Sequence, residues 1–104
     1  MAKFSRTKKF TKAIVEKLPN NKAVIYKIKN GEGDNLYTGI AGRGRVIDRL
    51  LEHKTIRKEI IPGGTRIQIA QVKTKETAEK IEKQIIKRDQ PKFNELGKKE
   101  VKIK

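Results

Sequence analysis

Ala23-Val24-Ile25-Tyr26-Lys27-Ile28-Lys29, followed by Asn30-Gly31-Glu32-Gly33-Asp34-Asn35 and then Leu36-Tyr37-Thr38-Gly39-Ile40, is the stretch that decides the fold. Its first seven residues are dense in β-branched and aromatic side chains and predict a strand. The next six are turn formers, with two glycines available for positive φ. Residues 36–40 resume strand character, so the two arms predict an antiparallel hairpin. Gly39 gives up packing inside a strand, which marks the close approach of another backbone or a ligand.

Downstream, 41–44 reads as a flexible basic loop. A helix is expected over 45–54, with Val46, Ile47, Leu50 and Leu51 on its apolar face. The same pattern can run on through Ile56, Ile60 and Ile61 until Pro62-Gly63-Gly64 ends it. Residues 65–72 predict a third strand through Ile67, Ile69 and Val72. Thr74 is a good N-cap, and Glu76 and Glu79 suit the positive end of the helix dipole. A helix is therefore expected over 75–88, burying Ala78, Ile81, Ile85 and Ile86 and closed by Gln90-Pro91. The tail 98–104 alternates weakly and fits either an edge strand or disorder. Upstream, Phe10, Ile14 and Leu18 recur every four residues beside Val15, which predicts a short amphipathic helix stopped by Pro19. The residues before it read as a mobile basic arm. The expected architecture is α+β: a small three-stranded antiparallel sheet flanked by helices, with an extra basic N-terminal helix. It divides into an arm and helix over 1–22, a domain over 23–97 and a basic tail over 98–104.

The 104 residues hold one domain. Lys and Arg number 27 against 12 Asp and Glu, a net charge of +15 that favours a polyanionic partner. The absence of Cys excludes thiolate metal sites and cysteine nucleophiles. Ser5 and His53 are the sole residues of their types, which argues against a serine triad and an ordinary zinc site. Apolar runs are too short to cross a membrane, and the basic N-terminus lacks the apolar stretch of a signal peptide, so the expected compartment is cytoplasmic. Nucleic-acid binding, nuclease activity and an acidic lipid surface remain as classes.

Three features break the pattern. On a helix Glu82 falls between Ala78 and Ile86, inside the apolar arc, where a carboxylate must be met by a cation, donors or a metal. Tyr26 and Tyr37 sit on the two arms of one hairpin, either as ordinary strand aromatics or with their hydroxyls converging on one centre. Arg45, Arg49 and His53 lie four apart on one helix edge, either as a solvated stripe or as a phosphate clamp.

Taken in order, these residues resemble the GIY-YIG nuclease superfamily. Val24-Ile25-Tyr26 stands at the family's first motif and Tyr37-Thr38-Gly39 at its second. Arg49-Leu50 with His53 resembles the helix segment. Ile81-Glu82-Lys83-Gln84-Ile85-Ile86-Lys87 and Pro91-Lys92-Phe93-Asn94 are similar to the closing Glu helix and Pro-x-x-Asn element, most closely those of the excision-repair incision subunit's nuclease domain. The match spans residues 22–96. It departs at Val24, where the family has glycine, and at Ile40, where some members have lysine.

The resemblance implies a metal-dependent DNA endonuclease that hydrolyses phosphodiester bonds, structure-selective or weakly sequence-specific. It implies that Glu82 holds one Mg²⁺ or Mn²⁺, that Tyr26 is the general base, and that Tyr37 positions water or phosphate. Arg49, with Arg45 as the alternative, would stabilise charge on the phosphoryl oxygens; Asn94 would support the hydrogen-bond network and His53 would assist. Lys8, Lys9, Lys12, Arg43 and Arg45 are expected to contact backbone phosphates. The expected partner is DNA, with RNA open and a targeting protein possible, and no membrane. The competing readings are a non-catalytic nucleic-acid-binding module of the same fold and a ribosome-associated basic protein, neither of which needs an acid at position 82.

Overall fold

The β-branched run Ala23–Lys29 becomes an inner strand of the sheet, hydrogen-bonded on both sides. The computed structural model describes residues 3–94. Along them run β1 (Lys8–Lys9), α1 (Lys12–Glu16), β2 (Ala23–Lys29), β3 (Asn35–Ala41), α2 (Val46–Thr55), a 3₁₀ turn (Arg57–Glu59), β4 (Arg66–Val72) and α3 (Lys75–Asp89). The sheet is antiparallel throughout, in the order β1-β4-β2-β3.

Helices cover both faces, which is why β2 reads as a nearly unbroken apolar run rather than a clean alternation. Val24, Tyr26 and Ile28 face α1 and α2, packing with Phe10, Val15, Leu18, Val46 and Leu50. Ala23 and Ile25 face α3, packing with Val72, Ala78 and Ile85. Val46 and Leu50 are fully buried, and each contributes about 1.5–3 kcal/mol relative to an exposed side chain.

The expected three-stranded sheet is corrected to four strands. The added strand is Lys8–Lys9, paired with Arg66 and Ile67 of β4. Both lysines are exposed, so no apolar alternation signals them; backbone pairing holds them. The arm expected to be mobile is docked along β4. The Ser5 amide donates to the Ile69 carbonyl at 2.7 Å and the Phe10 amide to the Thr65 carbonyl at 2.9 Å. Phe10, Val15 and Leu18 enter the same core as β2.

The N-terminal helix is shorter than its apolar stripe. It begins after Thr11, whose side chain accepts the Ile14 amide, and Phe10 and Leu18 pack from outside it. The helix α2 stops at Thr55 instead of running on through Ile61, because Ile56 is extended and the chain turns back through the 3₁₀ segment. Thr74 caps α3 as expected, accepting the Thr77 amide; at the other end Gln90 takes a left-handed conformation (φ 48°) before Pro91. The expected tail over 98–104, and the end of the 23–97 domain beyond residue 94, lie outside the described residues. Among the described residues no helix is long and apolar enough to cross a membrane.

Candidate active site

Antiparallel register sets Tyr26 of β2 directly opposite Gly39 of the edge strand β3. Two residues before Gly39, on the same face, stands Tyr37. A Cβ on residue 39 would lie 2.5 Å from the Tyr26 hydroxyl and 2.9 Å from the Tyr37 ring. The glycine thus makes room for two tyrosines rather than for a ligand or another backbone. His53, from α2, completes the cluster. Its ring centroid is 5.5 Å from that of Tyr26 and 5.0 Å from that of Tyr37, and the two tyrosines are 6.2 Å apart.

Hydrogen bonding fixes the proton positions. His53 Nδ1 is 2.7 Å from the Glu59 carbonyl, which can only accept, so Nδ1 carries the hydrogen. The other nitrogen, Nε2, is 2.7 Å from the Tyr26 hydroxyl. With Nδ1–H fixed, the neutral ring accepts at Nε2 and Tyr26 donates. Burial holds both groups neutral: it pushes the Tyr26 hydroxyl up, assisted by neighbouring Tyr37 and Glu82 and opposed by Arg49, and it pushes His53 down, against the pull of the Glu59 carbonyl. Tyr26 has no solvent exposure and His53 has 2%.

Tyr37 is half-buried, and burial raises its hydroxyl while the charge of Arg49 lowers it. Arg49 donates to the Glu52 carboxylate at 2.7 Å and lies 3.6 Å from Glu59. Burial alone would make it less basic, but the Glu52 bond and the surrounding hydroxyls and carboxylate hold its charge firmly in place. Of the two candidate arginines, Arg49 is the one whose charge bears on both tyrosines. Arg45 sits at the start of α2, largely exposed, against Asp48 at 3.7 Å and Glu52 at 3.6 Å. Glu82, half-buried on α3, raises both tyrosine hydroxyls by its charge.

Asn94 bonds the backbone of Thr38, between Tyr37 and Gly39. Its Oδ1 accepts the Thr38 amide at 2.7 Å and its Nδ2 donates to the Thr38 carbonyl at 2.9 Å. A primary amide here replaces the strand that β3 lacks on its outer side. Asn35 supports the same residue, donating to Thr38 Oγ1 at 2.7 Å and to Asp89 at 3.1 Å.

Tyr26, Tyr37 and His53 are thus brought together, with the charges of Arg49 and Glu82 acting on both tyrosine hydroxyls and Asn94 fixing Thr38 beside Tyr37. Of the expected phosphate-contacting residues, Lys8 and Lys9 lie on β1, at the opposite edge of the sheet from β3, and Lys12 opens α1. Arg43 lines a separate recess with Lys22, Lys73 and Lys75. Sequence reasoning missed Glu52 and Glu59. Glu52 carries a signal, the i, i+3 spacing from Arg49. Glu59 carries none for its bond to His53, because every residue has a carbonyl.

Among the described residues no three of His, Cys, Asp and Glu are grouped to form a metal cage. One protein carboxylate, as Glu82 would supply, suits Mg²⁺ or Mn²⁺, which draw most of their ligands from water and substrate phosphate. No family model, curated protein or solved structure matches the chain.

Proposed function

We propose that this protein is a divalent-metal-dependent DNA endonuclease of the GIY-YIG type, structure-selective or weakly sequence-specific. The observation that carries the reading is the cluster of Tyr26, Tyr37 and His53 beside Gly39, with Arg49 and Glu82 near enough for their charges to act on both tyrosine hydroxyls. A binding module gains nothing from a carboxylate beside a phosphate site, since it repels the ligand until a cation neutralises it.

Tyr26 and His53 act as one base. The Tyr26 oxygen is closed to solvent in this structure, so the attacking water must enter with the substrate; it gives a proton to that oxygen while the Tyr26 O–H proton passes to His53 Nε2. The water oxygen bonds to phosphorus as the bond from phosphorus to the leaving sugar oxygen breaks; that oxygen takes a proton from solvent, and the imidazolium keeps its Nδ1 hydrogen on the Glu59 carbonyl. A buried phenolate never has to form, which matters because burial raises the hydroxyl. Arg49, already fixed by Glu52, meets charge developing on the phosphoryl oxygens, and Tyr37 orients the water or phosphate. Losing a preorganised contact of this kind costs on the order of 3–4 kcal/mol in the barrier. Glu82 would hold the metal, which supplies Lewis-acid polarisation of the phosphate. Asn94 keeps Tyr37 and Gly39 in register.

The test is cleavage of plasmid, branched and single-stranded DNA by wild type and Glu82→Ala, in Mn²⁺ or EDTA. Products that require Mn²⁺ and vanish in the variant are expected, with DNA binding retained. Tight binding without cutting of any substrate would make the protein a non-catalytic module and Glu82 a structural acid.

A further inference from the structure

A recess of about 570 Å³ lies outside the tyrosine cluster, bounded by Lys22, Arg43, Lys73 and Lys75. Its cations converge from three parts of the chain: the approach to β2, the loop after β3, and both sides of Thr74 at the start of α3. All four are exposed. No carboxylate lines the recess, and among the described residues none of its four cations makes an ion pair. Several other cations have carboxylates beside them, and the recess of Lys9, Lys54 and Arg66, which likewise has none, gathers three cations rather than four. Arg45 faces Asp48 and Glu52, Arg88 faces Asp89, and the recess beside the hairpin sets Lys27, Lys29 and Lys92 against Asp34 and Asp89. Four like charges around one concavity repel one another, and a polyanion relieves that repulsion.

We propose that this recess is a second phosphate-binding site, which grips the DNA backbone away from the cleavage centre. From Lys75 to Glu82 the rise along α3 is about 10 Å. From Gly39 to Gly42 along β3 it is also about 10 Å. At ~3.4 Å per base pair the grip falls roughly three base pairs from the cut. That placement rests on the nuclease reading; phosphate binding by the recess does not.

The experiment compares two triple variants of the full chain, Lys22→Gln/Lys73→Gln/Lys75→Gln and Lys17→Gln/Lys80→Gln/Lys87→Gln. Each removes three exposed charges. Affinity for a short duplex is measured across salt concentrations, with circular dichroism verifying that both variants fold. The recess variant should flatten the log K against log salt slope by about 2–3, since each phosphate contact contributes roughly 0.9, while the other variant changes it by less than about 1. Equal flattening in the two variants overturns the site in favour of diffuse attraction. So does loss of binding to phosphatidylserine vesicles with the DNA slope unchanged, which assigns the recess to lipid headgroups. A neutral methylphosphonate three linkages from the cut should slow wild type several-fold and the recess variant no further; equal slowing of both rejects the placement. A protein that never cuts yet shows the unequal slopes keeps the phosphate site and loses the nuclease reading.

Discussion

Gly39 is where one missing side chain organises the others. In Gly39→Ala the new methyl meets a fully buried hydroxyl, so Tyr26 must leave His53. The expected cost is about 1–3 kcal/mol of stability from overpacking. Circular dichroism melting measures that cost, and loss of the fixed His53 tautomer in ¹⁵N NMR reports the broken bond. An unchanged imidazole spectrum counts against the packing argument. His53 supplies a pH dependence. Its folded value is held below the ordinary 6.5 by burial. As pH falls through 6.5 the unfolded chain takes the proton first, so stability declines towards acid, by at most about 1.4 kcal/mol per pH unit. Melting curves of wild type and His53→Gln from about pH 7.5 to 5 should converge in slope only above that window. Activity should fall only towards the acid end of that range, where the folded imidazole itself takes a proton and Nε2 can no longer accept from Tyr26. At this scale the sequence exposes the residues that violate a pattern: an acid in an apolar arc, two tyrosines on one hairpin, a glycine in a strand. It conceals those that act through backbone, as Glu59 does on His53.

The strands and long helices were readable because their periodicity coincides with burial. The helix over 75–88 is observed as Lys75–Asp89 and the strand over 65–72 as Arg66–Val72. Periodicity misled where apolar residues serve loops. Ile56, Ile60 and Ile61 continue the α2 pattern on paper, yet Ile56 and Ile60 are exposed beyond its end. The strand β1 escaped notice because two lysines have no apolar face. Its attachment nonetheless depends on the neighbouring core residue. Phe10 is 5% exposed, and Lys54 reaches back to its carbonyl at 2.8 Å and over its ring. Phe10→Ala should cost about 3–5 kcal/mol, a large share of a domain's ~5–15 kcal/mol. Lys8→Gln with Lys9→Gln should leave the melting temperature nearly unchanged and affect DNA affinity alone. Equal loss of stability in the charge variant and the core variant would contradict this division of labour. Asn94→Ala strands the amide and carbonyl of fully buried Thr38, at about 2 kcal/mol or more. Hydrogen exchange at the Thr38 amide should accelerate with it.

The whole molecule carries +15 on 104 residues, and its self-repulsion opposes the folded state. Added salt shortens the Debye length from about 30 Å at 0.01 M to about 8 Å at 0.15 M. The melting temperature should rise over that interval, while affinity for DNA falls; parallel movement of the two would show that charge is not what opposes folding. The charge was plain in the composition, but its distribution was not, since Lys22 and Arg43 meet the Lys73–Lys75 pair only once the sheet has formed. The Asn94 amide has a consequence at this scale as well. A sheet ends in two rows of unpaired backbone groups, and such rows recruit strands from other copies into aggregates. Here one outer strand is two residues long and bears only lysines, while the other is occupied at its midpoint by Asn94. The side chain that steadies the tyrosines therefore also denies a second copy its foothold, and a protein that loses it should lose solubility on warming before it loses its helices.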